Sequence, residues 1–322
     1  MSFYPVIHNK PPPIYVYFHN FWNGFIEKTD AINITFFMKL LEKVYERPIH
    51  ISQTPREASV LIESIFGTES HIHYKKWDAT ILFTGESNYY DFPHVDKFDC
   101  VLGFEETGGK FVKCPLYILF LVSNPKIMQQ LTAESTASRD AENTIIPPNN
   151  ASVVLSNVHG IERLSFLENL EKKMPVNYGG KYKNNIGNVV SGHCNSPEMT
   201  DFYKKGKFAI TMENGSQPYY ITEKIVNGFR SGVIPVYWGS VNIGQYFNPR
   251  RFLQLKSGSQ EDMDELANRM VSMTNQEYFD MICEPILARP INDVCEEILE
   301  SVKKILTSSP MSSVGSLTSS SS

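Results

Sequence analysis

The chain has 322 residues, 42% of them hydrophobic and 12% aromatic, and because a single core stops growing near ~250–300 residues two lobes are expected. Its formal charge of −5 comes from interspersed signs with no polybasic block, so the electrostatic footprint of a nucleic-acid partner or an anionic membrane surface is missing. No run of ~18 apolar residues suggests an integral membrane segment. The five cysteines are widely spread without C-x-x-C spacing, and read as reduced structural thiols. The N-terminus has neither a signal-peptide apolar run nor a basic amphipathic leader, so a cytoplasmic chain is expected.

Short β-rich runs alternate with amphipathic stretches, the pattern of an α/β protein built from βαβ units. In the first lobe, strands are predicted at 13–18, 48–52, 59–65, 79–83, 98–104 and 116–122. Several are apolar at consecutive positions, as parallel strands covered on both faces tend to be. A helix is predicted over 30–45, where Phe36, Phe37, Leu40, Leu41, Val44 and Tyr45 share one face. Composition shifts to Thr, Ser, Asn and Pro over 132–150, which favours turn or extended backbone and sets the lobe boundary. The second lobe should hold strands at 151–156, 207–212 and 233–238 and helices at 161–173 and 222–230, with Gly232 closing the latter. Ile291, Val294, Cys295, Ile298, Leu299, Val302, Ile305 and Leu306 mark one face of a C-terminal helix able to pack back on the first lobe. The expected division is 1–145, 146–290, the helix 291–307, and a disordered Ser-rich tail 308–322.

Chemistry concentrates at 207–255, which reads as strand, polar loop, helix, strand. Such loops, at the carboxyl ends of parallel strands, are where open α/β sheets bind ligands. Free N–H groups and the dipole of the following helix attract phosphate, and Lys224 adds a full positive charge in the first turn.

The strings "MENGSQPYYITEK" (212–224) and "GVIPVYWGS" (232–240) resemble the signature of the alpha-1,3-fucosyltransferases. So do "SNVHGIERLSFLENL" (156–170) with "GGKYKNNIG" (179–187) and, less closely, "LFTGESNYYDFPHVDKFDCVLGFEE" (82–106). The resemblance spans 14–289 and is densest in the second lobe; Gly215 and Pro218 depart from the family's loop pattern. It implies two Rossmann-like lobes facing each other across a cleft, the GT-B type, with GDP-fucose as donor and an acceptor glycan as partner. By the same resemblance Arg163 and Lys224 would neutralise the diphosphate, Glu223 would hold the ribose hydroxyls, and Asn214 and Tyr220 would line the nucleotide pocket, with Tyr219 able to exchange roles with Tyr220.

Glu86 in "TGES" is the candidate general base, with Glu105 and Glu106 in reserve. One displacement would then invert the anomeric centre, giving an alpha-1,3 linkage to N-acetylglucosamine or glucose as the family implies. The alternatives are a transferase using another nucleotide sugar and an inactive glycan-binding relative. No cofactor and no metal is required, because two fixed cations supply the charge a divalent ion would bring. The D-x-D string at Asp262 and Asp264 fits a solvated helix start, and His71 and His73 lack the acidic or thiol neighbours of a metal site. His19 and Trp22, after the first strand, form either an acceptor-stacking platform or a hydrophobic plug.

Overall fold

The computed structural model describes residues 11–87, 92, 94–135 and 145–308. The predicted tail from 309 onward, the middle of the boundary stretch (136–144) and residues 88–91 and 93 of the third matched string lie outside the described residues.

Two all-parallel sheets build the protein. The first contains β1 (Ile14–His19), β2 (Ile49–Ile51), β3 (Val60–Ser64), β4 (Ala79–Phe83), β5 (Cys100–Gly103) and β6 (Phe111–Lys113), in the order β2-β1-β3-β4-β5-β6. The second contains β7 (Ala151–Val153), β8 (Val176–Tyr178), β9 (Phe208–Ile210), β10 (Ile234–Tyr237) and β11 (Leu253–Gln254), ordered β11-β10-β9-β7-β8. The helices are α1 (Thr35–Tyr45), α2 (Leu116–Ser123), α3 (Pro125–Glu134), α4 (Ile161–Leu170), α5 (Pro197–Tyr203), α6 (Glu223–Arg230), α7 (Gln260–Ser272), α8 (Asn275–Cys283) and α9 (Ile291–Ser308).

The run predicted as a strand at 116–122 is the helix α2. Its apolar residues leave no period to read, and a short apolar run is ambiguous between strand and buried helix. Here it is wedged among α1, α3, α6 and α9, so every side of it is covered. The helix predicted from 30 begins only at Thr35, because Asp30 Oδ1 accepts from the Ile32 N–H (3.1 Å) and Asn33 Oδ1 from the Thr35 N–H (3.1 Å). Short polar side chains that capture backbone donors in this way compete with helix formation.

The first sheet is covered unequally. Val60, Ile62, Ile81, Phe83 and Leu102 point into the core shared with α1, α2 and α9. On the other face Leu61, Leu82 and Val101 meet Ile72, Trp77 and Phe98, which come from connecting segments, so among the described residues no α-helix lies along this face. The alternate strand residues are apolar all the same, and for this reason the sequence resembles a doubly helix-covered sheet.

α9 follows the second sheet in sequence but packs on α1, α2, β5 and β6 of the first. Tyr220, Ile221, Ile225, Val226, Phe229 and Tyr237 of the second lobe join the first lobe's core. The Tyr117 N–H at the start of α2 donates to the Ile221 carbonyl (2.9 Å). An apolar, hydrogen-bonded junction of this kind holds lobes in a fixed relation.

Candidate active site in the interlobe cleft

The loop from β9 to α6 is organised around a buried carboxylate. Glu213 is fully buried and accepts from the Thr222 N–H (2.8 Å), the Thr222 hydroxyl (2.8 Å) and Lys224 Nζ (3.1 Å). Thr222, extended at φ −102°, caps α6 by accepting from the Lys224 N–H, as threonine does at helix starts. Gly239 makes room for this arrangement, since a Cβ there would lie 2.6 Å from Glu213 Cγ. Burial raises the Glu213 carboxyl above its ordinary value, a shift that Lys224 opposes. Burial alone would lower the Lys224 ammonium, but Glu213 and Glu223 reverse this and hold it above its ordinary value, while nearby Arg163 pulls it down. Lys224 is thus a charged lysine with a counter-ion on one side and a second cation within electrostatic reach.

Arg163 occupies the first turn of α4 and is 2% exposed. It donates to Asn157 Oδ1 at 2.7 Å, and its Nε is buried with no hydrogen-bond partner among the described residues. Asn214 Oδ1 is also buried and unpartnered. The two residues meet at Gly160, where a Cβ would stand 3.3 Å from both Arg163 Nε and the Asn214 carbonyl. Native buried polar groups are nearly all paired, so an unpaired one at the wall of a cleft marks a place for a ligand. Asn214 stands at such a wall, whereas Arg163 lines neither of the two cleft cavities.

Glu86 follows β4 and is half-buried. Tyr220 donates its hydroxyl to Glu86 Oε2 at 3.1 Å across the lobe junction. Two adjoining cavities, about 360 and about 650 Å³, share Phe66, Glu86, Asn157 and Asn214. The smaller is also lined by Trp22, Asp30, Thr222, Tyr220, Glu223 and Lys224, and the larger by Ser87, His159 and Gly160.

A family model for glycosyltransferase family 10 (fucosyltransferase), C-terminal part, matches residues 148–280. The second lobe is thus similar to the C-terminal part of glycosyltransferase family 10. Over 304 residues the chain is 25% identical to Alpha-(1,3)-fucosyltransferase FucT of Helicobacter pylori, covering 85% of this chain and 60% of that protein. It is 26% identical over 217 residues to Putative fucosyltransferase R654 of Acanthamoeba polyphaga mimivirus, covering 65% and 34% respectively. The chain thus spans 60% or less of the length of these two relatives. A solved alpha1,3-fucosyltransferase superposes with a TM-score of 0.71 at 23% identity, covering 96% of this chain and 94% of the other. A structure of alpha1,3-fucosyltransferase with GDP-fucose gives 0.68 at 22%, covering 96% and 95%. The architecture is accordingly the two-lobed GT-B fold.

The family 10 segment contains Arg163, Asn214, Tyr220, Glu223 and Lys224, and of these Asn214, Tyr220, Glu223 and Lys224 line the smaller cavity. Glu223 Oε1 stands 3.9 Å from Lys224 Nζ. The two adjacent tyrosines part company. Tyr220 reaches Glu86, whereas Tyr219, left-handed at φ 59°, turns its hydroxyl to Glu106 on the first lobe. Glu106 also pairs with Lys113 (3.5 Å), and neither it nor Glu105 lines the two cavities. His19 is likewise absent from both linings. Its ring stacks on His71 at 3.8 Å and its Nδ1 lies 3.4 Å from buried Glu63, beneath the other face of the first sheet. Asp262 and Asp264 lie in the first turns of α7, where Asp264 pairs with Lys173 (2.6 Å) and so ties α7 to the end of α4.

Sequence reasoning gave Glu213 no role, and it overlooked Asn157 and Phe66 at the cleft. For Glu213 a signal existed: an acidic residue just past a predicted strand, with Thr222 nine and Lys224 eleven residues downstream in the same matched string, invites a buried pair. Phe66 carried no local signal.

Proposed function

We propose that this chain is an inverting glycosyltransferase that moves L-fucose from GDP-β-L-fucose to a hydroxyl of an acceptor glycan, with an alpha-1,3 linkage to N-acetylglucosamine or glucose. The observation that carries the proposal is a cleft lined by Asn214, Lys224 and Glu86, with the unpartnered Asn214 Oδ1 at its wall and the unpartnered Arg163 Nε meeting Asn214 at Gly160, which lines the larger cavity. The second lobe is the donor lobe and the first supplies the acceptor site and the base. The names of the similar proteins, fucosyltransferases from a bacterium and a giant virus, support fucose as the transferred sugar.

In the proposed reaction Glu86 takes the proton of the acceptor hydroxyl as its oxygen forms a bond to the anomeric carbon. The bond from that carbon to the β-phosphate oxygen breaks on the opposite face, and GDP leaves with the electron pair. Charge grows on the diphosphate as this happens, so cations fixed at Arg163 and Lys224 stabilise the transition state more than the ground state. Arginine suits the task because its planar fork can meet two phosphate oxygens. Tyr220, whose hydroxyl is held protonated by burial and by surrounding carboxylates, donates to Glu86 and fixes its direction.

The test is turnover of GDP-fucose compared with GDP-mannose and UDP-sugars, by hydrolysis and by transfer to an oligosaccharide panel, with the product linkage assigned by NMR. Preferential use of GDP-fucose with an α-linked product is expected; preference for another nucleotide sugar would overturn the donor assignment. A second check concerns Gly160, whose φ of +79° and close neighbours leave a side chain strained. Gly160→Ala should weaken GDP binding roughly tenfold, from strain of the usual size at such positions, as read by calorimetry.

A further inference from the structure

Large aromatic side chains left open in a cleft call for an occupant more than scattered surface ones do. Phe66 is 44% exposed, yet it lines both cavities and stands at the wall of Glu86: a Cβ on Gly85, the residue before Glu86, would be 3.2 Å from the Phe66 ring. Trp22 meets Phe66 edge-on at 5.1 Å and 73° and lines the smaller cavity.

The corner is built rigidly from beneath. Trp22 packs edge-on against fully buried Phe25 at 4.9 Å and beside Phe21 at 6.0 Å. The loop after β3 is tied to the loop after β1, because the Phe66 N–H donates to the Asn20 carbonyl (3.1 Å) and Asn20 Nδ2 donates to the Glu69 carbonyl (2.7 Å). Gly67 lets that amide lie against the backbone, since a Cβ there would overlap Asn20 Oδ1 at 1.9 Å.

We propose that the exposed ring of Phe66, braced by Trp22, is the acceptor platform: it stacks on the apolar C–H face of the acceptor pyranose and presents one hydroxyl to Glu86. The assignment rests on the transferase reading above and adds the residue that positions its second substrate. A pyranose ring carries its hydroxyls around the edge and exposes axial C–H bonds on its faces. Those weakly positive hydrogens match the negative face of an aromatic ring. Ligand sites of this kind combine apolar walls with a few placed polar groups. Here the wall is Phe66 and Trp22, and the polar groups are Glu86 and, at the same cavity, Asp30. Binding of the ring's face, remote from the reacting hydroxyl, would supply the orientation on which the rate of a two-substrate reaction depends.

The experiment is steady-state transfer from GDP-fucose to N-acetyllactosamine, lactose and chitobiose, with Phe66→Ala and Phe66→Tyr beside the wild type and GDP affinity measured by calorimetry. Loss of one ring's contact should raise the acceptor KM of Phe66→Ala roughly 10- to 100-fold, leave its GDP affinity within about twofold, and be restored by Phe66→Tyr, which keeps the ring. An unchanged acceptor KM, or a parallel fall in GDP affinity, overturns the platform while leaving the transferase reading intact. Absence of GDP-fucose hydrolysis and of transfer by the wild type would instead strike the transferase reading itself. Saturation-transfer NMR with GDP present gives an independent readout. The ring C–H protons of the bound sugar should receive the strongest signal in the wild type and lose it in Phe66→Ala; a signal of equal strength in both overturns the proposal.

Discussion

Glu86→Gln should transfer fucose roughly 100- to 10,000-fold more slowly than the wild type, the range a positioned general base contributes, while binding GDP with unchanged affinity. The substitution keeps the shape of the side chain, and its amide oxygen can still accept the Tyr220 hydroxyl that Glu86 Oε2 accepts at 3.1 Å. What it removes is the capacity to take a proton. Of the three carboxylates considered for the role, Glu86 lines both cavities, while Glu106 is committed to Tyr219 and Lys113. Radiolabel transfer at saturating acceptor, paired with GDP calorimetry, measures both arms. Retention of more than a tenth of the rate would move the base elsewhere, and an equal loss of GDP binding would make Glu86 a donor contact rather than a base.

The second large effect concerns the buried pair at the head of α6. Lys224→Met should lower folding stability by roughly 3 kcal/mol at neutral pH, as expected when one partner of a buried ion pair is removed and the other is left uncompensated. The figure belongs at the low end because the Lys224 side chain is 30% exposed while Glu213 is fully buried. The deficit should shrink on acidification. Burial already raises the Glu213 carboxyl above its ordinary value of 4.5, and loss of the opposing Lys224 charge raises it further. The folded protein then holds the proton more tightly than the unfolded chain. Stability relative to the wild type therefore rises as pH falls through the folded value, and the gain is complete below the unfolded value. Urea denaturation between pH 5 and about 8 reads this directly. A deficit that stays constant across the range would mean that Glu213 is not the group left exposed by the substitution. The same variant should lose GDP affinity, since one of the two proposed diphosphate cations is gone, whereas Glu213 keeps its two bonds to Thr222 and with them the cap of α6.

The sequence by itself determined the parts whose physics is local. Alternating strand and helix periods gave two α/β lobes, the amphipathic face of 291–306 gave α9, and Lys224 gave a cationic first turn to the helix that follows the polar loop, while the Thr222 cap emerged only from the structure. Those signals survive because charges in a first turn and helical spacing act over a few residues. The tertiary structure alone decided that 116–123 is a helix, since an apolar run takes its form from what surrounds it. It alone separated Tyr219 from Tyr220, turning one toward Glu106 and the other toward Glu86, 134 residues away in sequence. The aromatic corner of Trp22 and Phe66 and the meeting of Arg163 with Asn214 at Gly160 are of the same kind. Each joins loops from different strands, and only the packing of the strands and lobes against one another sets the distance between such loops.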